Sequence, residues 1–133
     1  MRPNGERMRS DKVRYFTPRD EELAELLMGI GLKRNVSKVL VYLANTKEAT
    51  SRDIERGTDL RQPEVSIAMR YLRECDWVDT RESKSESKGR PVKIYTLSRP
   101  ITEIMDTIEN EKRKEARQQL DLIQKMRECI SMQ

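Results

Sequence analysis

Residues 50–97 read TSRDIERGTDLRQPEVSIAMRYLRECDWVDTRESKSESKGRPVKIYTL, and the order of signals in them decides the fold. Thr50 or Ser51 caps a short helix, Thr50 having capping-box spacing with Asp53, with Ile54 as its buried anchor and Gly57 expected to close it. Thr58-Asp59-Leu60 is a short polar link. Pro63 suits the first turn of a second helix that lasts to about Cys75. Val65, Ala68, Met69 and Leu72 recur at helical spacing on one side of it, while Pro63, Ser66, Ile67, Arg70 and Glu74 project on the other. Asp76 stands where helix must give way to strand, a place that favours a left-handed residue, and aspartate tolerates that conformation better than most. Trp77–Thr80 and Val92–Leu97 alternate as strands, and Ser83–Gly89 between them has too little apolar content to pack, so it reads as a mobile loop.

Helix, tight turn, helix and then two strands joined by a polar basic loop is the plan of a winged helix-turn-helix. In that plan one helix enters a DNA major groove and a hairpin lies beside it. The expected fold class is mainly α with a small β-hairpin. Upstream, Thr17-Pro18 followed by Asp20, Glu21 and Glu22 starts a helix whose apolar side is Leu23, Leu26 and Leu27, ended by Gly29 and Gly31. Another helix runs from about Asn35 to Ala44 on Val36, Val39, Leu40 and Leu43, with Asn45 as its cap. After Pro100 a long helical stretch carries one apolar stripe of Ile101, Ile104, Met105 and Ile108 and a second of Ala116, Leu120, Ile123, Met126 and Ile130. The residues between, Glu109–Glu115, are almost all charged. A helix this long cannot bury its stripes on one small domain, so pairing with a second copy is expected. The chain thus divides into a basic flexible arm (1–17), a winged-helix domain (18–99) and a C-terminal dimerisation helix (100–133).

Charged residues make up 38% of the 133-residue chain and aromatics 5%, so the core is small and aliphatic. No apolar run approaches the roughly 18 residues of a membrane span, and no apolar segment follows Arg2, Arg7 and Arg9 as a signal peptide would require. The expected location is the cytoplasm, with no membrane partner. The net charge of +4 is modest, but its distribution is uneven. Residues 1–17 carry five basic and two acidic side chains and residues 76–99 six and four, whereas the stretch from Pro100 carries six and seven. The positive charge sits where a winged helix meets phosphates. There is no histidine, and the two cysteines, Cys75 and Cys129, are far apart, which excludes a Cys/His zinc site and any histidine base. With no nucleophile-base pair, no carboxylate pair in a convincing setting and no glycine-rich phosphate cradle, neither an enzyme nor a cofactor is expected.

The residues expected to touch double-stranded DNA follow from this plan. Arg61, Gln62, Pro63, Ser66, Ile67 and Arg70 lie at the start and on the outer face of the second helix. Arginine matches the O6 and N7 of guanine, glutamine matches adenine, and serine suits a base or a phosphate. Ile67 suits a thymine methyl, or equally a seat against the wing or a partner chain. Lys84, Lys88 and Arg90 flank the loop and are placed to reach phosphates or a narrow minor groove. The dimerisation residues are Ile101, Ile104, Met105, Ile108, Leu120, Ile123, Met126 and Ile130.

The segments IGLKRNVSKVLVYLA, EATSRDIERGTDLRQPEVSIAMRYLRECDWVD and GRPVKIYTLS make residues 30–98 resemble the DNA-binding domain of archaeal winged-helix regulators, the TrmB-like group with its MarR and ArsR relatives. The resemblance implies a homodimer on a palindromic site, with the helix from Gln62 reading bases and Arg90 acting in the wing. The chain as given lacks the large sugar-binding domain of TrmB-like proteins and the Cys/His motifs of ArsR-type sensors, so neither a sugar nor a metal effector is expected from it. Asp76 and Trp77 replace the glycine and aliphatic residue common in these families. The expectation is a homodimeric, sequence-specific transcription regulator that represses by steric occlusion. The alternative is a winged-helix protein-interaction module of the transcription or chromosome machinery, because residues 49–75 are net neutral, with Asp53, Glu55, Glu64 and Glu74 among them.

Overall fold

The computed structural model describes residues 15–84 and 91–132, with Lys84 described by its backbone alone. These residues form two compact units, one ending at Ser98 and the other beginning at Arg99. In the first, helix α1 spans Pro18–Gly29, α2 Arg34–Ala44, α3 Ser51–Thr58 and α4 Gln62–Glu74, followed by strands β1 (Val78–Lys84) and β2 (Pro91–Leu97). Helix α5, Ile101–Ser131, makes up the second. The architecture is the winged helix-turn-helix with a long C-terminal helix.

The helix starts at Thr17 and Thr50 follow local chemistry. Thr17 Oγ1 accepts from Asp20 N at 3.1 Å while Asp20 Oδ2 accepts from Thr17 N at 2.9 Å. Thr50 and Asp53 repeat the exchange at 3.2 and 3.1 Å, so two otherwise unpaired amides are satisfied at each end. On α1 the buried line is Asp20, Ala24 and Leu27, and Leu26 is 63% exposed. The expected Leu23-Leu26-Leu27 side is therefore rotated. Asp20, on the buried line, accepts from Asn45 Nδ2 at 3.2 Å, an attachment across two helices.

Helix α2 is the hub, with Val36 through Leu43 all buried and α1, α3, α4 and β2 packed around it. Burial on every side explains why an amphipathic reading captured only four of its core positions. Lys38 is buried as well, outside those four, and its ammonium donates to Thr58 O at 3.4 Å and lies 5.7 Å from the centre of the Phe16 ring.

The hairpin is antiparallel in the register Val78–Leu97 to Lys84–Pro91. Strand β1 continues through Ser83 and Lys84, which the sequence had placed in the loop; pairing with Val92 and Pro91 holds them in the ladder. Residues 85–90 lie outside the described residues. Ala49 and Tyr95 exchange backbone bonds of 3.0 and 2.8 Å, which ties the chain before α3 to the hairpin as a third pairing. Arg81 reinforces it by donating to both carboxylate oxygens of Glu48, at 2.6 and 3.0 Å.

Helix α5 is one continuous element of 31 residues, roughly 46 Å long at 1.5 Å per residue. Its charged middle is laced by Arg113–Glu109 and Lys112–Glu115 pairs. Ile104 and Ile108 are buried, Ile101 and Met105 half-buried, and Leu120, Leu122, Ile123, Met126 and Ile130 exposed. Among the described residues no helix is long and apolar enough to cross a membrane.

Candidate nucleic-acid interface

The corner between α3 and α4 fixes how the second helix is presented. Gly57 does not close α3; it is buried inside the helix, and the left-handed residue is Asp59, at φ 60° and ψ 30°. The link is less polar than its composition suggests, because Leu60 is 4% exposed and anchors the turn in the core. Thr58 Oγ1 donates to Ile54 O at 2.6 Å, and the Thr58 carbonyl receives Lys38, so the end of α3 keeps its polar groups paired. Asp76 takes the second left-handed position, φ 61°, between α4 and the hairpin, as its place in the sequence predicts.

Helix α4, about 20 Å long at 1.5 Å per residue, buries Val65, Ala68, Met69 and Leu72. Its other face exposes Arg61, Gln62, Pro63, Ser66, Ile67 and Arg70 together, with Arg73 and Glu74 beyond them. Ile67 is 54% exposed and Tyr71, one turn on, 43%, so an apolar strip runs beside the polar groups. Tyr71 was missed by sequence reasoning, although its i+4 spacing from Ile67 carried the signal. Of the four acids near this face, two are occupied: Asp53 caps α3, and Glu64 Oε1 accepts from Arg61 N at 2.9 Å. Glu64 also lies 3.9 Å from Arg34 Nη1, and its own carbonyl accepts from Asn35 Nδ2 at 3.1 Å. The first turn of α4 is thereby fastened to the start of α2, a contact with no local sequence signature.

In the wing, Lys93 is exposed opposite Glu82. Lys88, Arg90, the side chain of Lys84 and the basic arm through Arg14 lie outside the described residues.

At the far end of α4, Tyr71 and Cys75 are hydrogen-bonded one turn apart. Burial pushes the Cys75 thiol above its ordinary range, and the carboxylates of Glu74 and Asp76 push it the same way, against the lowering effect of the Tyr71 bond. A raised thiol keeps less thiolate at neutral pH, and thiolate is the nucleophile. Alkylation of Cys75 by iodoacetamide should therefore show its pH midpoint above that of the same cysteine in the urea-unfolded chain. A midpoint at or below the unfolded value contradicts this environment. Cys129 is exposed, and neither cysteine is in a disulfide. Among the described residues no group of His, Cys, Asp or Glu is placed to hold a metal ion.

Residues 30–89 match the sequence model of the MarR family. That segment takes in α2, α3, α4 and β1. Among solved structures, the chain is similar to a possible transcriptional regulator from Methanosarcina mazei Go1, with 16% identity, a TM-score of 0.56, and coverage of 76% of this chain and 85% of that one. It is also similar to a PadR family transcription regulator from Clostridium difficile R20291, at 18% identity and TM-score 0.44, covering 59% and 84% of the two chains. A mutant of ZitR from Lactococcus lactis, in apo form, shares 20% identity at TM-score 0.41 over 75% and 70%. No curated protein matches the chain. The Methanosarcina likeness supports the fold described above.

Proposed function

We propose that this chain is a homodimeric, sequence-specific DNA-binding transcription regulator of the TrmB-like kind, acting as a repressor by occluding the promoter. The observation that carries this reading is the split of α4 into a fully buried face and an exposed one that presents Gln62, Ser66, Ile67 and Arg70 side by side. A helix held so firmly from behind can enter a major groove as a rigid reader, and its exposed groups include donors and acceptors that distinguish bases. The match of residues 30–89 to the MarR family supports the same use of the fold. For the dimer, the support is the exposed apolar face of α5 from Leu120 to Ile130, which water disfavours and a second copy would cover.

The test is binding to DNA upstream of the protein's own gene at several salt concentrations. A dimer that contacts six or more phosphates should lose about a thousandfold in affinity between about 50 and 200 mM salt. Arg70→Ala should relax discrimination at one base position by about 1–3 kcal/mol, while Arg90→Ala weakens all sequences alike. No binding at the lower salt concentration overturns the reading, and equal losses on specific and random duplexes from both variants overturn the division of labour.

A further inference from the structure

Arg34 is outside the helix-turn-helix in sequence, 27 residues before Arg61, yet it stands beside the first turn of α4. Its Nη1 is 3.9 Å from Glu64 Oε2 and its side chain is 57% exposed. Asn35 fixes the approach by donating to the Glu64 carbonyl at 3.1 Å, so Arg34 is held at the flank of α4 and not merely drifting near it. Lys33, next to it, is exposed as well, and so is Arg61 across the gap. Lys33 and Arg34 open α2 and Arg61 opens α4, so three exposed cationic side chains belong to the two helix starts that Glu64 joins. Glu64 also accepts the Arg61 amide at 2.9 Å, so it cannot neutralise them all.

We propose that Arg34, with Lys33, binds a phosphate of the same DNA whose bases α4 reads. The inference rests on the reading given above and extends it to α2. A helix with side chains is about 10–12 Å across, and the major groove is about 12 Å wide, so the walls of the groove close on the flanks of the helix. Those walls are phosphates. A cation displaced sideways from the N-terminal turn of the reading helix therefore meets backbone and not bases, and its contribution is independent of sequence. Glu64 is then a positioning residue: it aims Arg34 in the free protein, and its own charge opposes the approach of the phosphate.

These roles give the two variants opposite signs. On a random-sequence duplex at about 100 mM salt, Arg34→Gln should lower affinity on the order of tenfold. It should also make the dependence of log K on log salt shallower by about 0.9 for each phosphate contact removed. Glu64→Gln should raise affinity on the same duplex severalfold, and Arg34→Lys should retain most of the wild-type value. A merely structural Arg34–Glu64 pair predicts instead that both changes weaken binding and lower the thermal midpoint together, and that result overturns the proposal. So does an Arg34→Gln protein with unchanged affinity and salt slope, in which case wild-type binding leaves the DNA reading itself standing. Wild-type protein that fails to bind the duplex even at about 50 mM salt removes both.

Discussion

Ile54→Ala should destabilise the winged unit by about 2–5 kcal/mol, the range for emptying a fully buried aliphatic site that cannot collapse around the void. Ile54 is 0% exposed and is the buried anchor of the eight-residue helix α3, and its carbonyl takes the Thr58 hydroxyl at the corner. Against the roughly 5–15 kcal/mol that holds a domain folded, this loss is enough to leave part of the population unfolded at growth temperature. Ile67→Ala is the internal comparison. The side chain is the same, but at 54% exposure its truncation should change stability by less than about 0.5 kcal/mol. Its effect should fall on DNA affinity instead. Urea unfolding checks the pair: the Ile54 variant should shift the midpoint at unchanged slope, and the Ile67 variant should leave it in place. Similar midpoints for the two would mean that α3 is not anchored as described.

The double change Ile123→Glu with Met126→Glu should convert the protein to a monomer and cost roughly 10²–10⁴ in affinity for a two-half-site operator, the usual gain from linking two binding modules. The two side chains are 43% and 57% exposed in the single chain, so charge placed there does not disturb its core and acts on whatever covers the helix. Sedimentation should show the wild type at twice 15.7 kDa and the variant at that mass. On a duplex with one half-site the two proteins should bind alike. A wild type that remains monomeric at high concentration removes the dimer from the proposal, and a variant that stays dimeric moves the interface off this face of α5.

Much of this molecule is legible in a window of four residues. The helix start at Thr17-Pro18, the capping box at Thr50, the proline in the first turn of α4, the left-handed Asp76 and the buried line Val65-Ala68-Met69-Leu72 each depend on groups close together along the chain. Where reading failed, a distant partner was the cause. Leu26 looked as apolar as Leu27, but the packing of α1 on α2, with Asn45 bonded to Asp20, has Ala24 inward in its place. Gly57 looked like the end of α3, yet it lies buried inside the helix and the left-handed turn falls to Asp59. Ser83 and Lys84 have the composition of a loop, but cross-strand pairing extends β1 over them.

The candidate site divides the same way. Its outward face on α4 follows from helical periodicity, because the residues that pack the core necessarily turn Gln62, Ser66, Ile67 and Arg70 away from it. For that face, and for the order of elements, the amino-acid sequence was sufficient. The packing of α2 against α3 and α4 decided the rest. It brought Arg34 and Asn35 to Glu64 across 29 residues of chain, between Asn35 and Glu64, and it placed the ammonium of Lys38 under the corner at Thr58. Such contacts leave no periodic trace, since neither partner's local conformation requires the other. Only the closed core, which fixes two helix ends a few ångströms apart, brings them together.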